Sequence, residues 1–376
     1  MIHLETDILI IGGGIAGCIA AISLANTHRV ILIDKNKEPN ERIGESLAPA
    51  AQRILKQLNL IEDIDKASVY NEPLYIKNMG MQSFWGSDKV HIVDHLRNPD
   101  GFVQSLNRKK FESYLRESAL NRGIKCLWPV KLQTSNYETN YWHITANSNE
   151  KIGQKNYHIK SKFVIDASGR QSNFARSLGV KRETIDKLIA CWATMPNYLQ
   201  NTMSTISACK NGWWYSAVLP NNKRVMAFQT DADLIDKNDI KKSTFFIELA
   251  KENKEMECIL KETKSELQFH GTVAANSSRL KQFTGKQWAA LGDAAISFDP
   301  LSSQGMYNAM ASAMQLTTLI INHNLIHDYT IEKDKSFQHN YTQQINAIWS
   351  HYLQHKKLFY SAEMRWKEAS FWKRRF

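Results

Sequence analysis

The sequence predicts a mixed α/β fold: a parallel-sheet domain interleaved in the chain with a second, sheet-rich domain, followed by C-terminal helices. Three observations predict it. A βαβ signature opens the chain, "DILIIGG", "GIAGCIAAISLAN" and "RVILID" following one another over residues 7–34. Two more short apolar runs ending in acid and glycine, "KFVIDASGR" (162–170) and "WAALGDAA" (288–295), lie far downstream. Between those two runs, residues 188–230 are β-like and aromatic, and no low-complexity linker separates the units. The expected division is 1–70, 100–185 and 270–325 for the first domain, 71–99 and 186–269 for the second, and 326–376 for the helices.

Taken in order, "DILIIGG" is a continuous apolar run, as expected of a strand buried on both faces of a parallel sheet. The small-residue helix and the strand "RVILID" complete the unit. Gly12, Gly14 and Gly17 make a G-x-G-x-x-G turn, and Asp34 ends the second strand. Gly12 permits the tight turn, Gly14 lets backbone N–H groups approach a pyrophosphate, and Gly17 lets the helix sit close to the sheet. Asp34 can accept hydrogen bonds from a ribose. With strand, helix, strand and acid together, the stretch is a Rossmann-like dinucleotide site rather than a bare turn.

"NRKKFESYLRESALNRG" (107–123) has helical spacing, and Gly123 suits its stop. Residues 130–165 alternate as strands with polar turns, and "KKSTFFIELAKENKEMECILK" predicts one amphipathic helix. Residues 331–360 are expected to be a helical cap or appendage. At 288–315, an acid at a strand end precedes a glycine-started helix, an arrangement able to bind the polyol and phosphate of a second nucleotide half. A simple NAD enzyme gives no reason for that motif, whereas FAD does.

Composition excludes several classes. Apolar content of 43% and charged content of 23% over 376 residues are those of a globular chain. The net charge of +11, with a local cluster in "FWKRRF", predicts attraction to acidic surfaces. No zinc-finger spacing or RNA-binding signature accompanies it, so no nucleic-acid partner is expected. Five scattered cysteines without a C-x-x-C pair argue against a metal site or a disulfide framework. The N-terminus lacks the layout of a signal peptide and no run reaches membrane-spanning length, so a cytoplasmic location is expected.

"IIGGGIAGCIAAISLA", "ERIGESLAPA", "LNRKKFESYL", "VIDASGR" and "GDAAISFDPLSSQGM" carry a resemblance. The chain resembles FAD-dependent monooxygenases of the aromatic-hydroxylase type, in the branch that includes the tryptophan halogenases. The resemblance implies an FAD-binding domain interleaved with a β-sheet substrate domain. It implies that Gly12, Gly14 and Gly17, with Ile15 and Ala16, hold the pyrophosphate, and that Asp34, followed by Lys35, meets the adenosine ribose. Arg42, Glu45 and Ser46 would lie against the cofactor, Arg108 near its phosphates, and Asp166 and Gly169 on the adenine side. Asp293 would bind ribityl or pyrophosphate oxygens. The segment from Pro300 through Gly305 to Met306 would aim N–H groups at the flavin ring, where a helix N-terminus stabilises the charge of the reduced form.

The stretch "NGWWYSAVLP" (211–220) departs from the halogenase pattern. Aligned on Pro220, the motif W-x-W-x-I-P becomes Tyr215-Ser216-Ala217-Val218-Leu219-Pro220, with Trp213 and Trp214 just before it. Strand alternation places Trp213 and Tyr215 on one face and Trp214 on the other, one face core and one open to a pocket. Trp213 and Tyr215 are the catalytic candidates. Lys77, in "YIKNMGMQSFWG", stands where a halide-presenting lysine would be required, or is a solvated side chain. "FWGSDKVHIVDHLRNPDGF" and "GWWYSAVLP" further resemble flavoproteins encoded with quinone-cofactor oxidases. That resemblance implies tryptophan oxygenation in a partner precursor on the way to cysteine tryptophylquinone, with O₂ and with NAD(P)H or a separate reductase as electron source. The alternatives are halogenation or hydroxylation of a small aromatic molecule, or a flavin-bearing chaperone.

Overall fold

The structure is a computed structural model that describes residues 1–60, 73–95, 98–148, 153–236, 238–262 and 267–376. The boundary expected between residues 70 and 71 lies outside the described residues. Strand Ile2–Ile11 pairs in parallel with Asn156–Asp166 on one side and Val30–Ile33 on the other. Lys125–Leu127 extends the sheet beyond Val30–Ile33, and Trp288–Ala290 extends it beyond Asn156–Asp166, both in parallel. Ile8, Leu9 and Ile10 are fully buried, as the uninterrupted apolar run requires. The register aligns Ile11 with Ile33 and Asp166, and Asp166 with Ala290. The glycine turn, Asp34, the segment after Asp166 and Gly292-Asp293 therefore all leave one carboxyl edge, where open α/β sheets bind ligands.

A second sheet has the order Gln268–Ala274, Leu188–Pro196, Lys223–Asp231, Gly212–Leu219, Ser204–Cys209, Gly80–Phe84 and His91–Asp94 among the described residues. Its pairings are antiparallel except between Ser204–Cys209 and Gly80–Phe84. The mixed α/β class is the one expected. A small sheet of Ser46–Leu47, Val103–Leu106 and Tyr75–Asn78 is also present.

One helical expectation changes. The single helix expected over 241–261 is two, Ser243–Lys251 and Lys254–Glu262. Buried Asn253 makes the break: its side chain accepts from the Met256 N–H and donates to Ser207. Helix Ile331–Ser361 is the expected C-terminal helix, packed on the core as a cap rather than standing off as an appendage. Phe337, Tyr341, Ile345, Trp349 and Tyr352 form its buried stripe, and the Tyr341 hydroxyl donates to the Ala290 carbonyl at the sheet edge. The basic C-terminus is also tied down, with Arg374 and Arg375 both paired to buried Asp231. No described helix is long and apolar enough to cross a membrane.

Candidate functional site

Two helix starts converge at the carboxyl edge. Gly14 caps helix Ile15–Leu24 with no side-chain cap bond, and Gln304 caps helix Gly305–Asn322 likewise. The helices lie side by side, Ser23 Oγ 3.0 Å from Thr317 Oγ1. Gly292 is wedged between their first turns: a Cβ there would stand 3.0 Å from the Ala16 Cβ and 3.7 Å from the Ala309 Cα. The three glycines of the turn do different work. A Cβ on Gly12 would meet the Ala167 carbonyl oxygen at 2.3 Å, and one on Gly17 the Gly12 oxygen at 1.8 Å, so both serve close packing. A Cβ on Gly14 or Gly305 would meet nothing within 4 Å. The open space over two uncapped N-termini is a cradle that fits an anionic group such as a dinucleotide pyrophosphate.

Asp34 accepts hydrogen bonds of 2.7 Å from the Gly13 and Asn36 N–H groups. Buried Arg116 pairs with it at 3.1 Å and donates to the carbonyls of Gly13 and Asn36. A carboxylate has about four acceptor positions, so one further donor such as a ribose hydroxyl can be held. Lys35 is exposed and reaches Gln171 at 2.8 Å. Glu112, 1% exposed, gathers both predicted arginines: Arg108 at 2.7 Å and Arg42 at 3.0 Å. Arg108 also donates to the Gly44 carbonyl, while its buried Nε has no partner among the described residues. Ser46 pairs with Ser105 in the small sheet.

Buried Glu45 accepts the Gly44 N–H and, at 2.6 Å, the Tyr215 hydroxyl. Burial, then the Glu45 charge, pushes the Tyr215 hydroxyl well above its ordinary pKa, so it stays a donor. Asp293 is half-exposed at the edge, its carboxylate 4.0 Å from Arg170 Nε. Met306 is buried in the core beneath the second helix start, and Pro300 opens the turn Pro300–Ser302 before it.

Three expectations are corrected. Asp166 is fully buried and its carboxylate accepts from Ser168 and the Ala175 N–H, so it fastens the turn after its strand and offers no surface to adenine; Gly169 stands in that turn at φ +67°. Trp213 is a core side chain, 1% exposed, whose Nε1 donates to the Tyr360 hydroxyl at 3.1 Å. Tyr360 in turn donates to Asp299, which accepts the Leu301 N–H, so Trp213 braces the turn before the second helix. Trp214 is equally buried, stacked on Phe228 and edge-on to Phe246, so neither tryptophan has an open face. Lys77 is exposed on its strand with Nζ 5.6 Å from the Phe102 ring centroid, the setting of a solvated side chain.

Compared with known proteins, the chain matches the family described as "FAD binding domain" over residues 5–327. The chain belongs to this family. It is an FAD-dependent oxidoreductase of the halogenase and hydroxylase type, and its cofactor is FAD. LodB of Marinomonas mediterranea, described as an FAD-dependent oxidoreductase, is 28% identical over 98% of this chain and 96% of its own. The 1H-pyrrole-2-carbonyl-[peptidyl-carrier protein] chlorinase of Pseudomonas fluorescens is 26% identical over 82% of this chain and 74% of its own. Among solved structures, the chondrochloren halogenase CndH has a TM-score of 0.84 at 20% identity, covering 99% of this chain and 86% of that one. The peptidyl tryptophan dihydroxylase QhpG has a TM-score of 0.78 at 18% identity, covering 99% and 78%.

In this flavoprotein, Glu112 and Arg116 escaped sequence reasoning because charged helix residues ordinarily face water. A signal existed: Arg108, Glu112 and Arg116 recur every four residues, on the same face as Phe111, Leu115 and Ala119. Trp192, Thr194 and His270 gave no comparable signal, because only the pairing of their strands brings them together.

Proposed function

We propose that this flavoprotein oxygenates a tryptophan-type ring presented by a partner protein, a precursor of a quinone-cofactor oxidase. The observation that carries the reading is a likeness over nearly the whole of this chain to two proteins: LodB at 28% identity, and QhpG, a peptidyl tryptophan dihydroxylase essential for tryptophylquinone cofactor biogenesis, at 18% identity. The exposed setting of Lys77 and the buried Trp213 and Trp214 also favour it over a halogenase requiring a halide-presenting lysine.

In this reading the parallel sheet and its helices form the flavin-binding domain, and the seven-stranded sheet forms the substrate domain. The N–H groups of Gly14, Ile15, Ala16 and Gly17 would hold the pyrophosphate, and Asp34, held by Arg116, would take the adenosine ribose. Asp293 would accept from the polyol, and the Gln304 and Gly305 N–H groups, left after Leu301, Ser302 and Ser303 bond within the turn, would serve the flavin ring. Tyr215 and Glu45 together hold the loop after Arg42 against the second sheet. When bound, FAD supplies the activation of O₂, one atom going to the ring and the other leaving as water; NAD(P)H or a separate reductase supplies two electrons. The chain's own share is to hold the ring and keep water away from it.

The test mixes flavoprotein, reductant, ¹⁸O₂ and unmodified precursor, and measures precursor mass. Labelled oxygen on a precursor tryptophan is the expected result. A second reading, halogenation of a carrier-bound or free aromatic molecule, draws on the 26% identity to the pyrrole chlorinase. A bromide-dependent mass gain, with the precursor unchanged, would replace the first reading by the second.

A further inference from the structure

A small cleft, about 90 Å³, lies between the loop carrying Arg42 and Glu45, the start of helix Arg108–Asn121, and the strands carrying Trp192, Thr194 and Lys223. Trp192 is 6% exposed, and its Nε1 is a buried donor with no acceptor among the described residues. Buried donors in folded proteins are almost always satisfied, so an orphan on a cleft wall asks for a partner from outside the chain.

The indole is held in a fixed plane by unusual means. Strand Leu188–Pro196 pairs with Gln268–Ala274 so that Trp192 faces Gly271 and Ala193 faces Phe269, leaving His270 as the extra residue of a bulge. The bulge turns the His270 ring onto the indole, with ring centroids 4.0 Å apart and planes 12° apart. His270 Nε2 is also 2.8 Å from Thr194 Oγ1. Burial lowers the His270 pKa, which leaves the stacked ring neutral. Tyr215 and Ile43 pack on the same cluster as Trp192, so the cleft adjoins the Tyr215–Glu45 hydrogen bond.

We infer that Trp192 is a substrate-binding residue whose indole N–H donates to a backbone-type oxygen, an amide carbonyl or an α-carboxylate, next to the reacting ring. The inference rests on the reading of a tryptophan-type substrate. It adds that recognition extends beyond the ring to the chain that carries it, with Arg42 and Lys223 on the cleft wall adding attraction for an oxygen acceptor.

The experiment uses FAD-loaded flavoprotein labelled with ¹⁵N at its ten tryptophans, the Trp192 signal being identified by its loss in Trp192→Phe. N-acetyl-tryptophan amide, tryptophan and 3-methylindole are added separately. The amide or the free amino acid should shift the Trp192 N–H signal, and the one that shifts it more names the oxygen; 3-methylindole, which has no acceptor, should not. No shift with any probe, or an equal shift with 3-methylindole, overturns the inference. In turnover of a tryptophan-bearing precursor segment, Trp192→Phe with full FAD content should raise KM about threefold to tenfold, as loss of one neutral hydrogen bond implies, with a smaller change in kcat. An unchanged KM also overturns it. A parent protein that oxygenates no such segment overturns the oxygenation reading instead, and the signal shifts still judge Trp192.

Discussion

The Tyr215 hydroxyl donates a hydrogen bond of 2.6 Å to Glu45, joining residues 170 apart in the chain. Glu45 stands in the loop that follows Arg42, and Tyr215 on the central aromatic strand of the second sheet, so this bond is one tie between the two layers. Because Glu45 is buried and Tyr215 half-buried, the bond acts in a medium that strengthens it and punishes its loss.

Tyr215→Phe should therefore lower stability by about 1.5–3 kcal/mol, the range for a hydrogen bond to a charged acceptor. Urea unfolding measures the loss, and FAD retention after gel filtration should fall with it. A variant as stable as the parent would mean that Glu45 finds another donor.

Gly14 and Gly17 separate folding from cofactor binding. Gly14 has φ −83° and ψ −171°, which any residue adopts, and its Cβ direction is open. Gly14→Val should thus fold with a melting temperature close to that of the cofactor-free parent and yet purify without FAD. Gly17→Val, whose Cβ would sit 1.8 Å from the Gly12 oxygen, should fail to fold or melt far lower. Absorbance near the flavin bands and a thermal melt distinguish the two.

The two acids at the sheet edge should behave oppositely. Asp293 is half-exposed, so Asp293→Ala should change stability by less than about 0.5 kcal/mol while reducing FAD occupancy. Asp166→Ala removes a buried acceptor of three hydrogen bonds and should destabilise the fold in the absence of FAD. Equal effects of both substitutions on the cofactor-free protein would contradict this division.

Arg375 is 4% exposed and pairs at 2.6 Å with Asp231, itself 2% exposed. Removing one partner of a buried pair strands the other charge, so Arg375→Ala should cost on the order of 3 kcal/mol. Urea unfolding checks the figure. A loss below 1 kcal/mol would show that Arg374 alone suffices for Asp231.

His270 predicts a pH dependence. Burial lowers its pKa below 6.5, so the unfolded chain binds its proton first as pH falls. The stability linked to neutral His270 is complete above 6.5 and declines from 6.5 downward towards the lower folded value. His270→Phe keeps an aromatic ring on Trp192 and removes that proton. Relative to the parent, it should gain melting temperature as pH drops from 7.5 to 5.5; a constant difference would exclude the linkage.

The sequence by itself determined the βαβ layer and the places where its turns open, because those depend on residues within about one helix of each other. Gly14, Asp34, Asp293 and Gly305 were legible from strand-end and helix-start patterns alone, and all four lie along one sheet edge. Tertiary structure alone decided which side chains meet. Alternation put Trp213 and Tyr215 on one face, but only the packing of helix Ile331–Ser361 consigned Trp213 to the core and left Tyr215 for Glu45. Glu112 and Arg116 became an arginine hub and the Asp34 brace because the sheet buries a face of their helix that their charges would otherwise turn to water. The bulge at His270 changed the register by one residue, and no local pattern announces a register that the neighbouring strand imposes.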